Sequence, residues 1–390
     1  MLRFVSAGES HGRSLTGIIE GLPAGLAVDP DFINGELRRR QLGLGRGRRM
    51  QIESDRILIT SGIRHGKTLG APISFHIENR DWDQWKIPMS IEPVDETAAI
   101  LPVTRPRPGH ADLAGALKFG THDARDVLER ASARETAARV AAGSFCKLLL
   151  LRFHMRVGSH VLAVGNVQVP SAFECIDLEK ILALDPESPM RCADPEAQAR
   201  MVSLVEDAAQ NGDTLGGVAE IVAGPVPPGL GSHAQWDCRL DGRLAQALMS
   251  IPAVKAVEIG AGIAAARRTG AAVHDEIFYD GGQRRFFHRS NHAGGLEAGI
   301  SNGSDLRARI FVKPIPTLRV PLKSVDLITK EPCDAAFERS DTCVVPAAGV
   351  VGEAMMAFVV AQAFLEKFGG DSLAELEANY RHSQDMLTIF

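Results

Sequence analysis

The sequence predicts a layered α+β fold, because its predicted strands and helices follow one another without regular βαβ alternation. Of the 390 residues, 45% are hydrophobic and 23% are charged, which is typical of a globular protein with a substantial core. No linker, composition break or short repeat divides the chain. Residues 1–390 are therefore expected to form one domain, with an acidic, helical and peripheral segment at about 170–210.

The predicted strands come from alternating or β-branched segments. Residues 5–20 are rich in strand-forming residues and are interrupted by a polar turn at 8–12. Residues 56–61 (RILITS) alternate and are followed by Gly62, which predicts a strand that ends there. Further predicted strands lie at residues 218–222, 254–259 and 307–313.

The predicted helices carry recognisable start and stop signals. One is expected at residues 111–118 and another at 239–249. Ser132 with Glu135 three residues later forms a capping box that opens an Ala-rich helix to about residue 151. Pro346 begins the most apolar helix, and a Gly-Gly pair at 369–370 stops it.

The apolar helix predicts a core element and not a membrane span, because Glu353 and Gln362 interrupt it. The first residues, MLRFVSAGES, lack the long apolar segment of a signal peptide. The six cysteines contain no CxxC pair, which is typical of free thiols in a reducing compartment. The twelve histidines contain no HExxH motif, and no metal site is predicted. We expect a soluble, cytoplasmic protein.

Six arginines stand within the twelve residues 38–49, with no acid among them, although the formal net charge of the chain is −5. Such a cluster can focus positive potential on a small anion. It can equally form a solvated face or bind nucleic acid, in which case retention of RNA or DNA would depend steeply on salt. The cluster alone favours a solvated face or a nucleic-acid patch, and the rest of the chain reverses that preference.

Two glycine motifs resemble nucleotide-binding loops. Residues 62–68 (GIRHGKT) follow a predicted strand, but three residues separate the glycines where a P-loop has four, so a structural turn is predicted. Residues 260–265 (GAGIAA) follow the strand at 254–259 and fit the GxGxxA dinucleotide fingerprint. No second βα unit follows. A Rossmann-type NAD(P)-dependent oxidoreductase is therefore kept as the alternative enzyme.

Four separate turns concentrate anion-binding and proton-handling groups. They are residues 8–12 (GESHG), 105–112 (RPRPGHAD), 130–134 (RASAR) and 339–343 (RSDTC). Arginine binds oxyanions through a planar fork, and helix starts offer free N–H groups to phosphate. Histidine exchanges protons near neutral pH. The pattern favours a site for a multiply charged anion with acid–base chemistry.

These turns belong to a longer series of segments that resembles the chorismate synthase family. The series occurs in that family's order and spans residues 3 to about 360; the least similar stretch is about 170–210, where the family varies in length. Its segments are GESHGRSLTGIIEGLPAGL, RRRQLGLGRGRRM, SGIRHGKTLGAPI, NRDW, PRPGHADL, ERASARETAARVAAGSF, GDTLGGVAE, AGGLEAGISNG, KPIPT and RSDTCVVPAAGVVGEA.

The resemblance implies a β-α-β sandwich, with helices enclosed between antiparallel sheets, assembled as a homotetramer. It implies a lyase that uses reduced FMN to eliminate phosphate from 5-enolpyruvylshikimate 3-phosphate in an anti-1,4 sense. The product, chorismate, completes the last common step of aromatic amino acid biosynthesis. NADPH would serve only as a source of reducing equivalents. The substrate is a small molecule, and neither nucleic acid nor a membrane is an expected partner.

The resemblance also assigns roles to positions. His11 would protonate the departing phosphate, His110 would maintain the protonation state of the flavin, and Asp341 would relay a proton. The substrate-binding residues would be Ser10, Arg40, Arg46, Arg49, Arg107 and Arg134, with Arg40 and Arg46 as alternative contacts for a nicotinamide phosphate. The cofactor-binding residues would be Arg130, Ala131, Ser132, Pro252, Ala253, Ala298, Lys313, Pro314, Ile315, Pro316, Thr317 and Arg339.

Two positions depart from the family pattern. Ala298 stands where the family usually has Gly, and His292 stands where Asn is common. Both departures bear on flavin affinity more than on activity, because neither belongs to the proposed acid–base set.

Overall fold

The computed structural model of this protein describes residues 1–46, 54–95, 100–170, 176–338 and 341–390. It confirms a mixed α+β fold. The strands are β1 (Arg3–Ala7), β2 (Ser14–Glu20), β3 (Ile57–Ile59), β4 (Ile63–Arg64), β5 (Lys67–Thr68), β6 (Ile73–Glu78), β7 (Arg156–Val164), β8 (Val167–Gln168), β9 (Gly217–Gly224), β10 (Val254–Ile259), β11 (Ile277–Asp280), β12 (Arg285–His288), β13 (Leu296–Glu297), β14 (Ile300–Ser301), β15 (Leu306–Val312), β16 (Lys323–Val325) and β17 (Pro332–Asp334).

The α-helices range from a single turn to 24 residues. They are α1 (Pro30–Gln41), α2 (Trp82–Trp85), α3 (Asp112–Phe119), α4 (Arg125–Ala131), α5 (Thr136–Leu151), α6 (Leu178–Leu182), α7 (Pro195–Gln210), α8 (Leu240–Met249), α9 (Gly262–Ala265), α10 (Val345–Phe368) and α11 (Leu373–Thr388). The predicted strands and helices are each found within a few residues of their expected bounds.

Two antiparallel sheets carry most of the strands. The first has the order β1-β2-β6-β3, and the second has the order β10-β15-β9-β7-β8. Helix α5 packs on the first sheet and α10 packs on the second, while α5 and α10 pack directly on each other. The largest hydrophobic cluster runs through both helices and both sheets, and its buried residues extend from Leu2 to Leu376.

The close approach of α5 and α10 depends on Gly143. A Cβ atom at this position would lie 2.5 Å from the Cα atom of Ala354. The predicted buried helix is confirmed as α10. Among the described residues α10 is the one helix long and apolar enough to cross a membrane, but 78% of its most apolar window is buried within the protein. It is a core helix, because both neighbouring layers cover it.

The capping box predicted before α5 forms only in part. Ser132 accepts a hydrogen bond from the backbone N–H of Arg134, and residues Ala133–Glu135 form a 3₁₀ turn before the α-helix begins. The Glu135 side chain pairs with Arg139. This tighter first turn directs the Arg134 side chain to the interior, where it is buried.

Both glycine motifs are structural. Residues 62–68 contain the β4–β5 hairpin, whose two turn residues, His65 and Gly66, have positive φ angles. The strand before residues 260–265 pairs antiparallel with β15, and the helix that follows has four residues. A dinucleotide fingerprint requires a parallel βαβ unit. This topology removes the basis of the Rossmann alternative.

A charged network lies inside the core. The Glu353 side chain of α10 is fully buried and accepts two hydrogen bonds of 2.8 Å from Arg39 of α1. Lys147 of α5 and Ser159 of β7 each donate to it at 2.6 Å. Lys147 and Arg39 also contact Glu36. Burial alone raises the pKa of Glu353, but the adjacent cations outweigh it and hold that pKa well below its usual value.

Replacing Glu353 with Gln is expected to lower the free energy of unfolding by about 3–5 kcal/mol, because Arg39 and Lys147 would then be buried without their main counter-ion. Since folding depresses this pKa, the stabilisation is complete above the ordinary value of 4.5 and is lost as the pH falls through the lowered value. Urea unfolding at neutral pH measures the effect.

The matched control is Glu187→Gln, which breaks an ion pair with Arg38 whose two side chains are 57% and 71% exposed. This variant is expected to lose less than about 1 kcal/mol. Equal losses in the two variants would show that the buried network does not stabilise the core.

Candidate active site

A cavity of about 1040 Å³ lies where the predicted turns converge. Residues from the turns at 8–12, 105–112 and 130–134 line it, together with Asp341. The first turns of α5 and α10 also line it. Among the described residues, six cationic side chains and three carboxylates face the cavity. Its lining therefore favours anions.

His11 is fixed by a buried carboxylate on α4. Its backbone N–H donates to Oε2 of Glu129 at 2.8 Å, and its Nδ1 lies 3.0 Å from both oxygens of that carboxylate. The imidazole also stacks on Trp85, with ring centroids 3.8 Å apart. Arg125 binds Glu129 at 2.8 Å and lies over the Trp85 ring. The imidazole of His11 is therefore held at its edge by Glu129 and at its face by Trp85.

The charge of Glu129 determines which His11 nitrogen carries the proton. Burial alone raises the pKa of Glu129, but hydrogen bonds from His11 and the charge of Arg125 leave the pKa lowered. An ionised carboxylate only accepts hydrogen bonds, so Nδ1 of His11 donates. Proton exchange with a ligand then falls to Nε2.

His110 is also held by a buried carboxylate, which lies two residues later in the chain. Its Nδ1 bonds to Asp112, a fully buried residue at the start of α3. Asp112 also receives hydrogen bonds from the side chain of Arg107, whose Nη1 reaches Thr317 at 3.1 Å. Burial opposes ionisation of Asp112, but His110 and Arg107 hold its pKa well below the usual value. The carboxylate orients His110 and Arg107 together.

Two of the predicted substrate-binding arginines share one buried acid. Arg134 donates to Asp55 at 2.6 Å and to Asn79 at 3.0 Å. Arg40 reaches the other oxygen of Asp55 at 3.4 Å and donates to Thr136 at 2.9 Å. Both guanidiniums line the cavity. Because they are buried and held by several partners, they form a rigid cationic wall.

Arg46 and Asp341 approach each other across the cavity rim. Nη1 of Arg46 donates to a carboxylate oxygen of Asp341 at 2.6 Å, and both side chains are largely buried. Ser10 lies nearby in the same lining, and its hydroxyl accepts a hydrogen bond from Ser132 at 3.1 Å. The structure thus brings the acid–base candidates and the described substrate-anion candidates to one cavity.

Another side of the cavity combines apolar surface with a lysine. Pro252, Ala253, Ile315 and Pro316 line it beside Lys313. Burial, followed by the charge of Lys255, lowers the pKa of Lys313. Ala253 adopts a φ of 70°, which places its peptide in a conformation rare for a residue with a side chain. This wall fits a flat, partly apolar ligand that carries a negative charge.

Most predicted site residues line this cavity, but three described ones do not. Arg130 is tied to Ser6 and to the carbonyl of Gly8 outside it. Ala298 is exposed in the β13–β14 turn, with the positive φ of 50° that glycine tolerates best. Pro314 does not line the cavity although its neighbours do. Arg49 and Arg339 lie outside the described residues.

The arginine cluster separates into different environments. Arg38 pairs with Glu187 at the surface, and Arg39 points into the core network. Arg40 and Arg46 line the cavity. The charge of the cluster is therefore only partly directed at a ligand.

Sequence reasoning missed Glu129, Trp85, Asp55 and Arg319, all of which lie in or next to the cavity. Glu129 is 118 residues from His11, so no local spacing links them. Asp112 could have been found, because it follows His110 within one turn. The remaining contacts exist only after folding.

Comparisons with known proteins agree with one another. A sequence model described as chorismate synthase matches residues 2–365. A chorismate synthase of Solibacter usitatus is 54% identical over 380 residues, covering 97% of each chain. One from Desulforudis audaxviator is 55% identical over 383 residues, covering 98% of this chain and 97% of its own.

A solved structure, described as a crystal structure of chorismate synthase, is similar over the whole length. It superimposes with a TM-score of 0.80 at 42% identity and covers 100% of this chain and 99% of its own. With a family model spanning most of the sequence and relatives above half identity over almost the full length, the chain belongs to the chorismate synthase family.

Proposed function

We propose that this chorismate synthase family member, a carbon–oxygen lyase, eliminates phosphate from 5-enolpyruvylshikimate 3-phosphate to give chorismate with the aid of reduced FMN. The observation that carries the proposal is one cationic cavity that contains two histidines, each fixed by a buried carboxylate. The C3–O bond breaks with its electron pair leaving on phosphate, the electrons of the C6–H bond complete the ring diene, and the hydrogen leaves as a proton. Substrate equals product plus phosphate, so no net oxidation occurs.

The cavity fits both ligands. Its volume of about 1040 Å³ is at the upper end of the usual range for ligand sites. Phosphate carries about −1.5 to −2 at neutral pH, and the substrate adds two carboxylates. The rigid wall of Arg40 and Arg134 supplies charge that stays positive when water is excluded. Arg107, held by Asp112, adds a third fixed guanidinium.

The flavin is assigned to the wall that contains Lys313. The flavin ring would contact Pro252, Ala253, Ile315, Pro316 and Thr317. Lys313 would face the negative charge of the flavin. When bound, reduced flavin supplies electron density to the breaking C–O bond. Ala131 and Ser132 line the same cavity and would also contact the flavin. The contacts predicted for Arg130, Pro314, Ala298 and Arg339 remain predictions.

The acid–base residues act through defined atoms. His11, with Nδ1 directed at Glu129, would give the proton on Nε2 to the departing phosphate. His110, with Nδ1 directed at Asp112, would hold a proton at Nε2 towards the cofactor. Asp341 would accept a proton while Arg46 stabilises its charge. Ser10 would hydrogen-bond the substrate beside His11.

We also propose that the two sheets and the helices between them form the family's β-α-β sandwich as one domain. The functional protein is a homotetramer. It acts in the cytoplasm. NADPH would only reduce the flavin, and Arg40 or Arg46 would be its phosphate contact if the chain carries out that reduction itself.

Replacing His11 or His110 with Ala is expected to slow turnover by about 10² or more, the usual scale of lost general acid–base catalysis. Phosphate release with pre-reduced FMN under anaerobic conditions measures the rate. The control is His122→Ala, because His122 is exposed and outside the cavity lining. FMN affinity should survive in the His11 variant. A wild-type rate in either cavity variant would make that histidine structural.

Glu129→Gln is expected to lower kcat by about 10-fold or more, because an amide can both donate and accept and no longer fixes which nitrogen of His11 carries the proton. Phosphate release with pre-reduced FMN measures the rate. Glu338→Gln is the matched control, since Glu338 lines the cavity and pairs with Arg125 without contacting His11. If both variants keep the wild-type kcat, Glu129 does not orient His11.

Net redox change separates this lyase from a dehydrogenase. With FMN reduced beforehand and oxygen excluded, we expect many phosphates released per flavin, with the flavin still reduced at the end. Oxidised FMN without a reductant should support no turnover. A single turnover that leaves the flavin oxidised would contradict the elimination, and sustained turnover with oxidised FMN would contradict the need for reduced flavin.

A further inference from the structure

A second cavity, of about 320 Å³, lies apart from the active site and shares no lining residue with it. Its lining residues come from three parts of the chain. These are helix α1, helix α5 with the start of β7, and helix α6 with the segment that follows it. Its volume is at the lower end of the range typical of small-molecule sites. Nothing in the proposed reaction uses it.

The walls of this second cavity are mainly apolar and its inner end is basic. Eight of its fourteen lining residues are apolar, namely Phe32, Leu151, Met155, Val157, Ile181, Leu182, Leu184 and Pro186. The cationic side chains are those of Arg39, Lys147, Arg156 and Arg191, and the one carboxylate in the lining is that of Glu36. An apolar body next to a cationic end is the usual design of a site for a small organic anion.

Arg191 is the residue whose charge is least compensated. Its side chain is 7% exposed, and its backbone has a φ of 52°, unusual for a residue with a long side chain. Among the described residues, the guanidinium donates only through Nη2, to the carbonyl of Ser159 at 3.3 Å and to Glu353 at 3.5 Å. Nε and Nη1 have no acceptor in the described part of the chain. Neither nitrogen is fully shielded from solvent, so a ligand in the cavity can reach them.

Glu353 cannot neutralise Arg191 effectively, because it is already engaged by closer cations. Arg39 binds it twice at 2.8 Å and Lys147 binds it at 2.6 Å. Three cations thus share the two buried carboxylates of Glu353 and Glu36. Burial lowers the pKa of Arg191, and the attraction of Glu353 offsets this only in part. One positive charge remains available at the inner end of the cavity.

We propose that this second cavity is a binding site for a small organic monocarboxylate, whose carboxylate meets Arg191 and whose apolar body packs against Phe32, Ile181 and Leu182. A carboxylate accepts charge-assisted hydrogen bonds from a guanidinium, and one that enters the cavity would accept from Nε or from Nη1 of Arg191. Inorganic phosphate offers the charge without the apolar body. The apolar walls therefore favour a carboxylate with an aromatic or branched aliphatic group.

The probe is 4-fluorobenzoate, added to the full-length protein and followed by its ¹⁹F signal. We expect saturable binding, with 4-fluorobenzamide not binding because it lacks the charge. Arg191→Met should weaken binding by about 10-fold or more, the scale of a lost charge-assisted hydrogen bond. Arg191→Lys should retain most of it. Leu184→Trp, which fills the cavity without altering charge, should abolish it.

The active-site cavity also attracts anions, so Arg134→Ala is tested in parallel and should leave binding at the second cavity unchanged. Probe binding that survives both Arg191→Met and Leu184→Trp, or that disappears in Arg134→Ala, would overturn the proposal. So would displacement of the probe by equimolar inorganic phosphate. Should Arg191→Met fail to fold, Leu184→Trp decides: retained binding overturns the site, and lost binding with unchanged basal activity supports it.

Discussion

The contact between α5 and α10 is the constraint on which the rest of the structure depends. Gly143 lets the two backbones approach, because any side chain there would overlap Ala354. Each helix covers one antiparallel sheet, so their contact joins the two sheets through one core. The N-terminal turns of both helices line the active-site cavity. The packing that forms the core therefore also brings the starts of both helices to the active-site cavity.

The second organising feature is the use of buried carboxylates to orient cations and histidines. Glu129 fixes His11, Asp112 fixes His110 with Arg107, and Asp55 joins Arg40 to Arg134. Each acid accepts hydrogen bonds from several donors, and each limits the freedom of the side chains it binds. A site assembled in this way needs little reorganisation when a charged ligand enters.

Burial also explains how neighbouring arginines come to have different tasks. Consecutive residues of α1 point in different directions, so Arg38 reaches solvent, Arg39 enters the core and Arg40 reaches the active site. The side chain of Arg39 binds Glu353 on α10, the helix that also borders the active site. Arg191 approaches the same acid from the second cavity. One buried carboxylate, on a helix that borders the active site, is thus shared by cations that line the second cavity.

The sequence by itself determined the α+β class, most strand and helix positions, the family, and the histidines and arginines that line the cavity. Those features depend on local pattern: alternation, capping residues, and proline- and glycine-bounded turns that concentrate charged groups. Only the tertiary structure decided that residues 260–265 follow an antiparallel strand, that Arg130 and Ala298 lie outside the cavity lining, and that Glu129 and Trp85 hold His11. The physical reason is distance along the chain. Glu129 is 118 residues from His11, and the interaction exists because folded helices and sheets bring the two together.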